Sequence, residues 1–275
     1  LLAFPRYKFR RNWMTGPTIG ANNQMNSVNR LVSGIMPTYN SKNYLRDSIL
    51  TVLEQTYEQL ELIIVDDCSQ DGTVSVARSF AAKDSRVKLI ELNSNVGSGA
   101  ARNAGVEVAV GRYIAFIDAD DLWEPDKLHI QISEMESIGS AFSYTDYGLI
   151  DSAGHEMGIR QAPSRVNYSQ LLKNCVIGCS TVIYDTHDMG KQYFPEIRKR
   201  QDFALWLRLL KEVKYASKCG GVLTRYRVRS DSISANKLSA AHYTWRVYRE
   251  VEKLGLTKSL YYFVHYAISG VLKRV

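Results

Sequence analysis

From residue 31 onward the apolar positions keep two rhythms in turn. "LVSGIMPTYN" reads as a short buried strand ending at Pro37, whereas in "SKNYLRDSILTVLEQT" Leu45, Ile49, Val52 and Leu53 recur at helical spacing and form one face. The cycle then repeats. "LELIIVDDCS" is a strand running into a polar turn, and "DGTVSVARSFAAK" returns as a helix through Val76, Ala77, Phe80 and Ala81. "RVKLIEL" precedes the small-residue helix "GSGAARNAGVEVA", and "GRYIAFID" is a further strand. Strict alternation of this kind predicts an α/β protein whose mainly parallel sheet is covered by helices on both faces. In such a sheet the ligand crevice lies beyond the carboxyl ends of the strands. The polar groups expected there are Pro37 to Asn40, Asp66 to Ser69, Asn93 to Gly97 and Asp118 to Asp121.

After residue 140 the alternation fades. "SAFSYTDYGLID" and "VIGCSTVIYD" read as strands, "RQDFALWLRLLKE" as an amphipathic helix, and "VKYASKCGGVLTRYRVRSDSIS" as a strand pair running into a basic, Ser-rich loop. "AAHYTWRVYREVEKLG" and "SLYYFVHYAISGVLKRV" are helical runs with interleaved aromatic and basic residues. That pattern fits an interfacial helix and a helix packed on its own domain equally well. One domain is expected over residues 25–234, with a regularly alternating half (25–139) and a less regular half (140–234), followed by a helical segment over 235–275. Residues 1–24 begin without Met and lack the apolar core of a signal peptide; they read as an upstream extension.

With 45% hydrophobic and 23% charged residues, the chain is neither disordered nor fibrous. It has no apolar run near the ~20 residues that span a bilayer. Cys68, Cys175, Cys179 and Cys219 lack paired CxxC spacing and read as free thiols of a reducing compartment. The net charge of +7 is uneven, since residues 205–275 hold fourteen Lys/Arg against four Asp/Glu. A basic back of this kind suits an anionic partner, either a phospholipid surface or nucleic acid. Neither GxGxxG nor GxxxxGK[ST] is present, which argues against a dinucleotide enzyme or a P-loop ATPase.

"AFIDADDLWEPDKL" sets Asp118, Asp120 and Asp121 within four positions. Carboxylates so close raise one another's pKa. Either a divalent cation neutralises them, or they form a solvated turn before a helix. Asp202, opening "DFALWLRLL", reads from its neighbours alone as a first-turn acid that complements the helix dipole.

The succession of strand-P-T-Y-N, "IIVDDCSQDGT", "NVGSGAARNAG", "YIAFIDADDLWEPDKL" and "RQDFALWLRL" resembles the inverting glycosyltransferases of family 2, which have the GT-A fold, over residues 31 to 234. The resemblance implies a UDP-sugar donor whose base is held by Thr38, Tyr39 and Asp67, next to Pro37. Asp67 would accept the uracil N–H and Tyr39 would pack on the ring. It places Arg102 and the Gly97 loop against the nucleotide. It makes Asp120 a direct ligand of Mn²⁺ or Mg²⁺, and sets Asp118 against the ribose or a metal-bound water. In an extended chain these two would face one side while Ala119 turns back, and Asp121 would serve the turn. Asp202 becomes the general base, preceded by Gln201 where many members carry Glu. Arg227 and Arg229, with Arg225, fall in the loop that closes over the donor diphosphate. Many members carry His where Arg229 stands; Arg clamps phosphate but does not ligate a metal.

The same resemblance implies a lipid-linked saccharide acceptor in O-antigen or capsule assembly. It also implies peripheral contact with the inner face of the cytoplasmic membrane and no nucleic-acid partner. Two other readings stay open on the sequence. One is a sugar-nucleotidyltransferase, although "IMPTYNSKNYL" lacks its Gly-rich basic signature. The other is a non-catalytic module binding anionic lipid or nucleic acid through the basic back.

Overall fold

The computed structural model describes residues 30–229 and 237–272. Strands β1 (Val32–Thr38), β2 (Leu60–Asp66), β3 (Val87–Glu91) and β4 (Tyr113–Phe116) lie parallel in the order β3-β2-β1-β4. They are joined by helices α1 (Lys42–Leu53), α2 (Thr73–Ala81) and α3 (Ser98–Val108). Every residue of β2 is buried, as a parallel strand covered on both faces requires. Alternate residues go to opposite layers. Ile35, Ile63, Val65 and Phe116 pack with Ala101 and Val106 of α3, whereas Met36, Leu62 and Ile64 pack with Leu45, Ile49 and Val52 of α1. Because β2 and β4 flank β1 on opposite sides, the loops that follow these three strands open at a topological switch point, where α/β sheets bind ligands.

The remaining strands are β5 (Leu122–Trp123), β6 (Phe142–Ile150), β7 (Glu156–Arg160), β8 (Arg165–Val166), β9 (Ile183–Asp185) and β10 (Ala216–Arg227). They extend the sheet past β4 in the order β9-β6-β10-β5, with β7 on β6 and β8 on β10. β9 is antiparallel to both β4 and β6, so this half is mixed, as expected. The segment read as a strand pair is the single strand β10. It runs parallel to β6 and takes β5 and β8 along its other edge, so both edges are occupied and no hairpin partner is needed. Its double glycine absorbs a register shift between Lys218 and Val222, with Gly220 at φ +67.

Six further helices complete the fold: α4 (Lys127–Ile138), α5 (Tyr168–Lys173), α6 (Thr186–Met189), α7 (Gln201–Glu212), α8 (Lys237–Arg246) and α9 (Leu256–Leu272). A π-helical turn, Val247–Val251, follows α8. Pro125 and Asp126 directly precede α4, and Asp126 accepts a hydrogen bond from Thr56 Oγ1 (2.8 Å). α7 is buried almost all round. Its Trp206 sits 5.8 Å from Phe116, 5.7 Å from Phe142 and 6.1 Å from Phe194, an aromatic cluster that fixes the helix against β4 and β6.

α9 does two things at once. One face returns to the domain, where Tyr262 and Phe263 pack against the main core. The other leaves Leu256, Leu260, Tyr261, Val264 and Ile268 between 49% and 57% exposed. Among the described residues no helix is long and apolar enough to cross a membrane. The expected boundary at 234/235, the extension 1–24 and the Ser-rich stretch after Arg229 lie outside the described residues.

Candidate active site

β1, β2 and β4 end at one edge, and each delivers polar groups there. At the end of β1, Thr38 Oγ1 donates to Asp66 Oδ1 (3.0 Å), and Asp66 also accepts from Ser69 N–H (2.8 Å), so Asp66 serves its own turn. Asp67 N–H donates to the Thr38 carbonyl (2.8 Å), tying the first two loops together. The Asp67 carboxylate accepts from Val96 N–H (2.7 Å) and Gly97 N–H (2.9 Å). Gly97 has φ +90, a conformation L side chains rarely adopt, and this aims its N–H beside that of Val96. Burial pushes the Asp67 carboxyl above its usual range, against the pull of those two amides. Tyr39 is half exposed next to them, and Pro37 lies within β1 opposite Val65.

The acidic segment is a turn. Ile117 N–H makes a last bond to the Ile35 carbonyl (3.1 Å); beyond it no neighbouring strand holds the chain extended, and Asp121 N–H folds back to the Asp118 carbonyl (3.1 Å). The side chains therefore diverge by turn geometry and not by strand alternation, which corrects the extended reading. Asp118 pairs with Arg102, and Asp120 pairs with Arg229 (3.2 Å). Asp121 is buried between the Ser180 hydroxyl and Arg227 N–H (2.9 Å). Ala119 is buried, and its carbonyl accepts from Ser48 Oγ (2.9 Å). Burial and mutual repulsion push the Asp120 and Asp121 carboxyls up; Arg229 opposes this at Asp120. Cations stand beside this turn.

Arg102 is one such cation, only 6% exposed and 5.3 Å from the centre of the Phe194 ring. Burial works against its charge, but the carboxylates of Asp118, its ion-pair partner, and Asp202 oppose this and keep the guanidinium protonated. Its Nε is buried without a hydrogen-bond partner. Arg227 is also buried, with Nε donating to the Asp120 carbonyl (2.9 Å) and Nη1 to the Asp151 carbonyl (3.0 Å). The guanidiniums of Arg227 and Arg229 lie 4.9 and 5.0 Å from the Tyr44 ring centre.

Asp202 stands partly exposed in the first turn of α7. The start of α7 is tied on two sides. Gln201 Nε2 donates to Ser98 Oγ (3.3 Å) on α3, and Arg200, at φ +62, donates to Tyr266 Oη (2.8 Å) on α9. Arg102 pairs with Asp118, and Asp202 adds to the negative field around the same guanidinium.

No group of three His, Cys, Asp or Glu side chains among the described residues forms a metal site by itself. Asp118 and Asp120 offer oxygen donors only. Two carboxylates completed by phosphate and water is how Mg²⁺ and Mn²⁺ are usually held, so the donor set fits an ion that arrives with a diphosphate. Of the arginines expected in the loop over the donor diphosphate, Arg225 pairs with Glu124 (2.6 Å), Arg227 fastens the acidic turn and Arg229 pairs with Asp120 (3.2 Å). Tyr44, Trp123 and Ser180 also support this turn, and no spacing pattern in the sequence marked them.

Residues 33–194 match the model of glycosyl transferase family 2. The chain belongs to that family. It is 43% identical over 246 residues to Bacillus subtilis TuaG, a glycosyltransferase assigned to teichuronic acid biosynthesis, with 89% of this chain and 98% of TuaG covered. It is 38% identical over 244 residues to Escherichia coli WfgD, a UDP-Glc:α-D-GlcNAc-diphosphoundecaprenol β-1,3-glucosyltransferase, covering 88% and 94%. The fold superposes on S. aureus TarS in complex with UDP-GlcNAc with a TM-score of 0.67 at 19% identity, over 86% of this chain and 71% of that one. It also superposes on the Pyrobaculum calidifontis mannosyltransferase PcManGT in complex with GDP-Man and Mn²⁺, with a TM-score of 0.60 at 20% identity, over 82% and 65%. The architecture is the GT-A fold that the order of blocks implied, and the chain is a glycosyltransferase.

Proposed function

We propose that the protein moves a sugar from a UDP-sugar to a hydroxyl of a lipid-diphosphate-linked saccharide, with inversion, in the assembly of a bacterial surface polysaccharide such as O-antigen or capsule. WfgD and WfaP of E. coli, both 38% identical to this chain, use UDP-Glc and an α-D-GlcNAc-diphosphoundecaprenol acceptor. The observation that carries the reading is the ion pair of buried Arg102 with Asp118, at the edge where the Asp67 carboxylate is held by the Gly97 turn and where Gln201, next to Asp202, reaches Ser98.

Tyr39 offers a flat face to the base, and Asp67, held by two amides, keeps lone pairs for a ring N–H. The unpaired Nε of Arg102 and the guanidinium of Arg229 are the donors for the diphosphate. Asp120, with Asp118, would hold Mn²⁺ or Mg²⁺, which when bound supplies Lewis-acid neutralisation of the leaving diphosphate. Asp202 accepts the proton of the acceptor hydroxyl as that oxygen attacks the anomeric carbon opposite the diphosphate. One in-line displacement of this kind inverts the anomeric centre.

The test is a panel of UDP-sugars with lipid-diphosphate saccharides, products read by mass spectrometry. Asp202→Asn should bind UDP normally and lose transfer by ~10²- to 10⁴-fold. Undiminished turnover refutes the base assignment.

The exposed apolar face of α9 fits peripheral contact with the inner face of the cytoplasmic membrane, where such an acceptor resides. Lys258 is the sole charged residue of that helix.

A further inference from the structure

Ser180 lies in the single 3₁₀ turn Cys179–Thr181, across the sheet edge from the acidic segment and 3% exposed. Its hydroxyl makes two bonds, both to the same turn. It accepts from Asp118 N–H (3.0 Å) and donates to Asp121 Oδ2 (2.5 Å). A hydroxyl has one proton to give, so both ends of the turn fix its rotation. Its carbonyl is gripped from elsewhere, by Trp123 Nε1 of β5 (2.8 Å) and Thr224 Oγ1 of β10 (3.3 Å). The neighbouring Thr181 carbonyl takes Gln131 Nε2 of α4 (3.0 Å). The backbone of Ser180 and Thr181 is thus anchored to three elements, and the Ser180 side chain bonds the acidic turn from that anchored position.

The first and last residues of the turn meet at this one oxygen, and Asp120 projects between them. Asp121 keeps its second oxygen for Arg227 N–H, whose own guanidinium holds the Asp120 carbonyl (2.9 Å). Without the hydroxyl, the Asp118 amide has no acceptor, and buried Asp121 loses one of its two donors. The Asp118 end of the turn would then lean on its pairing with Arg102 and on the Asp121 N–H, and the side-chain partners left to Asp118 and Asp120 are Arg102 and Arg229, the cations a diphosphate would draw away.

We infer that Ser180 is a positioning residue for donor binding: it clamps the Asp118–Asp121 turn so that the Asp118 and Asp120 carboxylates keep their aim when the diphosphate of the nucleotide-sugar engages their arginine partners. This rests on the donor-site reading proposed above. Ser180 touches no substrate in this role and acts through the turn.

The experiment compares the full chain with Ser180→Ala, Ser180→Thr and Thr224→Val. UDP is titrated calorimetrically in Mn²⁺ and in chelator, alongside kcat, KM and melting temperature. Ser180→Ala should weaken UDP binding in Mn²⁺ by ~10- to 100-fold, the usual cost of removing a group that orients ligating side chains. Ser180→Thr keeps the hydroxyl and should restore most of the affinity. Thr224→Val removes one of the two donors to the Ser180 carbonyl and leaves the hydroxyl bonds to the acidic turn in place; it should lower the melting temperature without the affinity loss. UDP affinity unchanged in Ser180→Ala, or an equal loss in Thr224→Val, overturns the inference. If Ser180→Ala does not fold, Ser180→Cys, with similar volume and a weak donor, takes its place under the same criteria. If Mn²⁺ adds nothing to UDP binding by the wild type, the cation reading fails. Ser180 is then decided in chelator, where a loss repaired by Thr supports the clamp and equal affinities overturn it.

Discussion

Lys127 is fully buried at the start of α4, with Nζ donating to Gln131 Oε1 (2.8 Å) and lying 4.4 Å from the centre of the Trp123 ring. Burial pushes its amine down from 10.5 to about 7. At ~1.4 kcal/mol per pH unit this is a cost of about 5 kcal/mol for the charged form. Removing the amine also leaves the buried Gln131 Oε1 without this donor, at ~2 kcal/mol, so the net gain expected from its removal is about 3 kcal/mol at and below neutral pH. Lys127→Met keeps an unbranched chain of similar length without the charge, so it should raise the unfolding free energy by ~2–3 kcal/mol at pH 7. The unfolded chain holds this proton up to about pH 10.5, whereas the folded one releases it earlier. Wild-type stability from this group therefore rises from neutral to alkaline pH, and the advantage of the variant shrinks over the same window. Urea unfolding of both proteins at several pH values between 6 and 10 measures the gap. A gap independent of pH, or a less stable variant at pH 7, refutes the assignment of Lys127 as a buried, destabilised cation.

Asp67→Ala removes the acceptor of the Val96 and Gly97 amides and should weaken UDP binding in calorimetry by tenfold or more; unaltered affinity would exclude it from the base site. Gly97→Ala meets no neighbouring atom within 4 Å, so its cost is backbone strain alone, ~1 kcal/mol in chemical denaturation, with UDP affinity falling in step. EDTA should abolish UDP release in a coupled assay and Mn²⁺ or Mg²⁺ should restore it, whereas full turnover in chelator would remove the cation from the mechanism. Leu260→Glu with Val264→Glu puts two charges on the exposed face of α9; sedimentation with anionic vesicles should drop while UDP binding stays intact.

The parallel half of the sheet was legible because its signal is local. Each strand is a short apolar run, each helix repeats at its own period, and the polar residues after β1, β2 and β4 fall at the switch point by topology alone. The convergence of Asp67, Asp118 and Asp202 was visible only through the order of five blocks, because nothing local distinguishes Asp202 from a first-turn acid. The acidic turn was misread as extended, since alternation in "FIDAD" continues past the point where β1 stops offering partners. Ser180 was invisible for a different reason. It is 62 residues from Asp118 and 59 from Asp121, and the contact depends on how β9 lies beside β4. β10 was divided in two because its double glycine resembles a hairpin turn, although its register with β6 resumes beyond it.

The bond from Arg200 to Tyr266 gives the C-terminal helix a second task. Arg200 holds a left-handed conformation directly ahead of Gln201 and Asp202, and α9 supplies its hydroxyl partner. Trimming the chain before α9 to improve solubility would therefore do more than remove an apolar surface. It would remove one of the two ties at the start of α7, the one next to Gln201 and Asp202. A truncated enzyme that floats free of vesicles and is also slow would have lost two separable properties in one cut. Tyr266→Phe separates them: it takes away the hydroxyl and leaves the outer face of the helix intact.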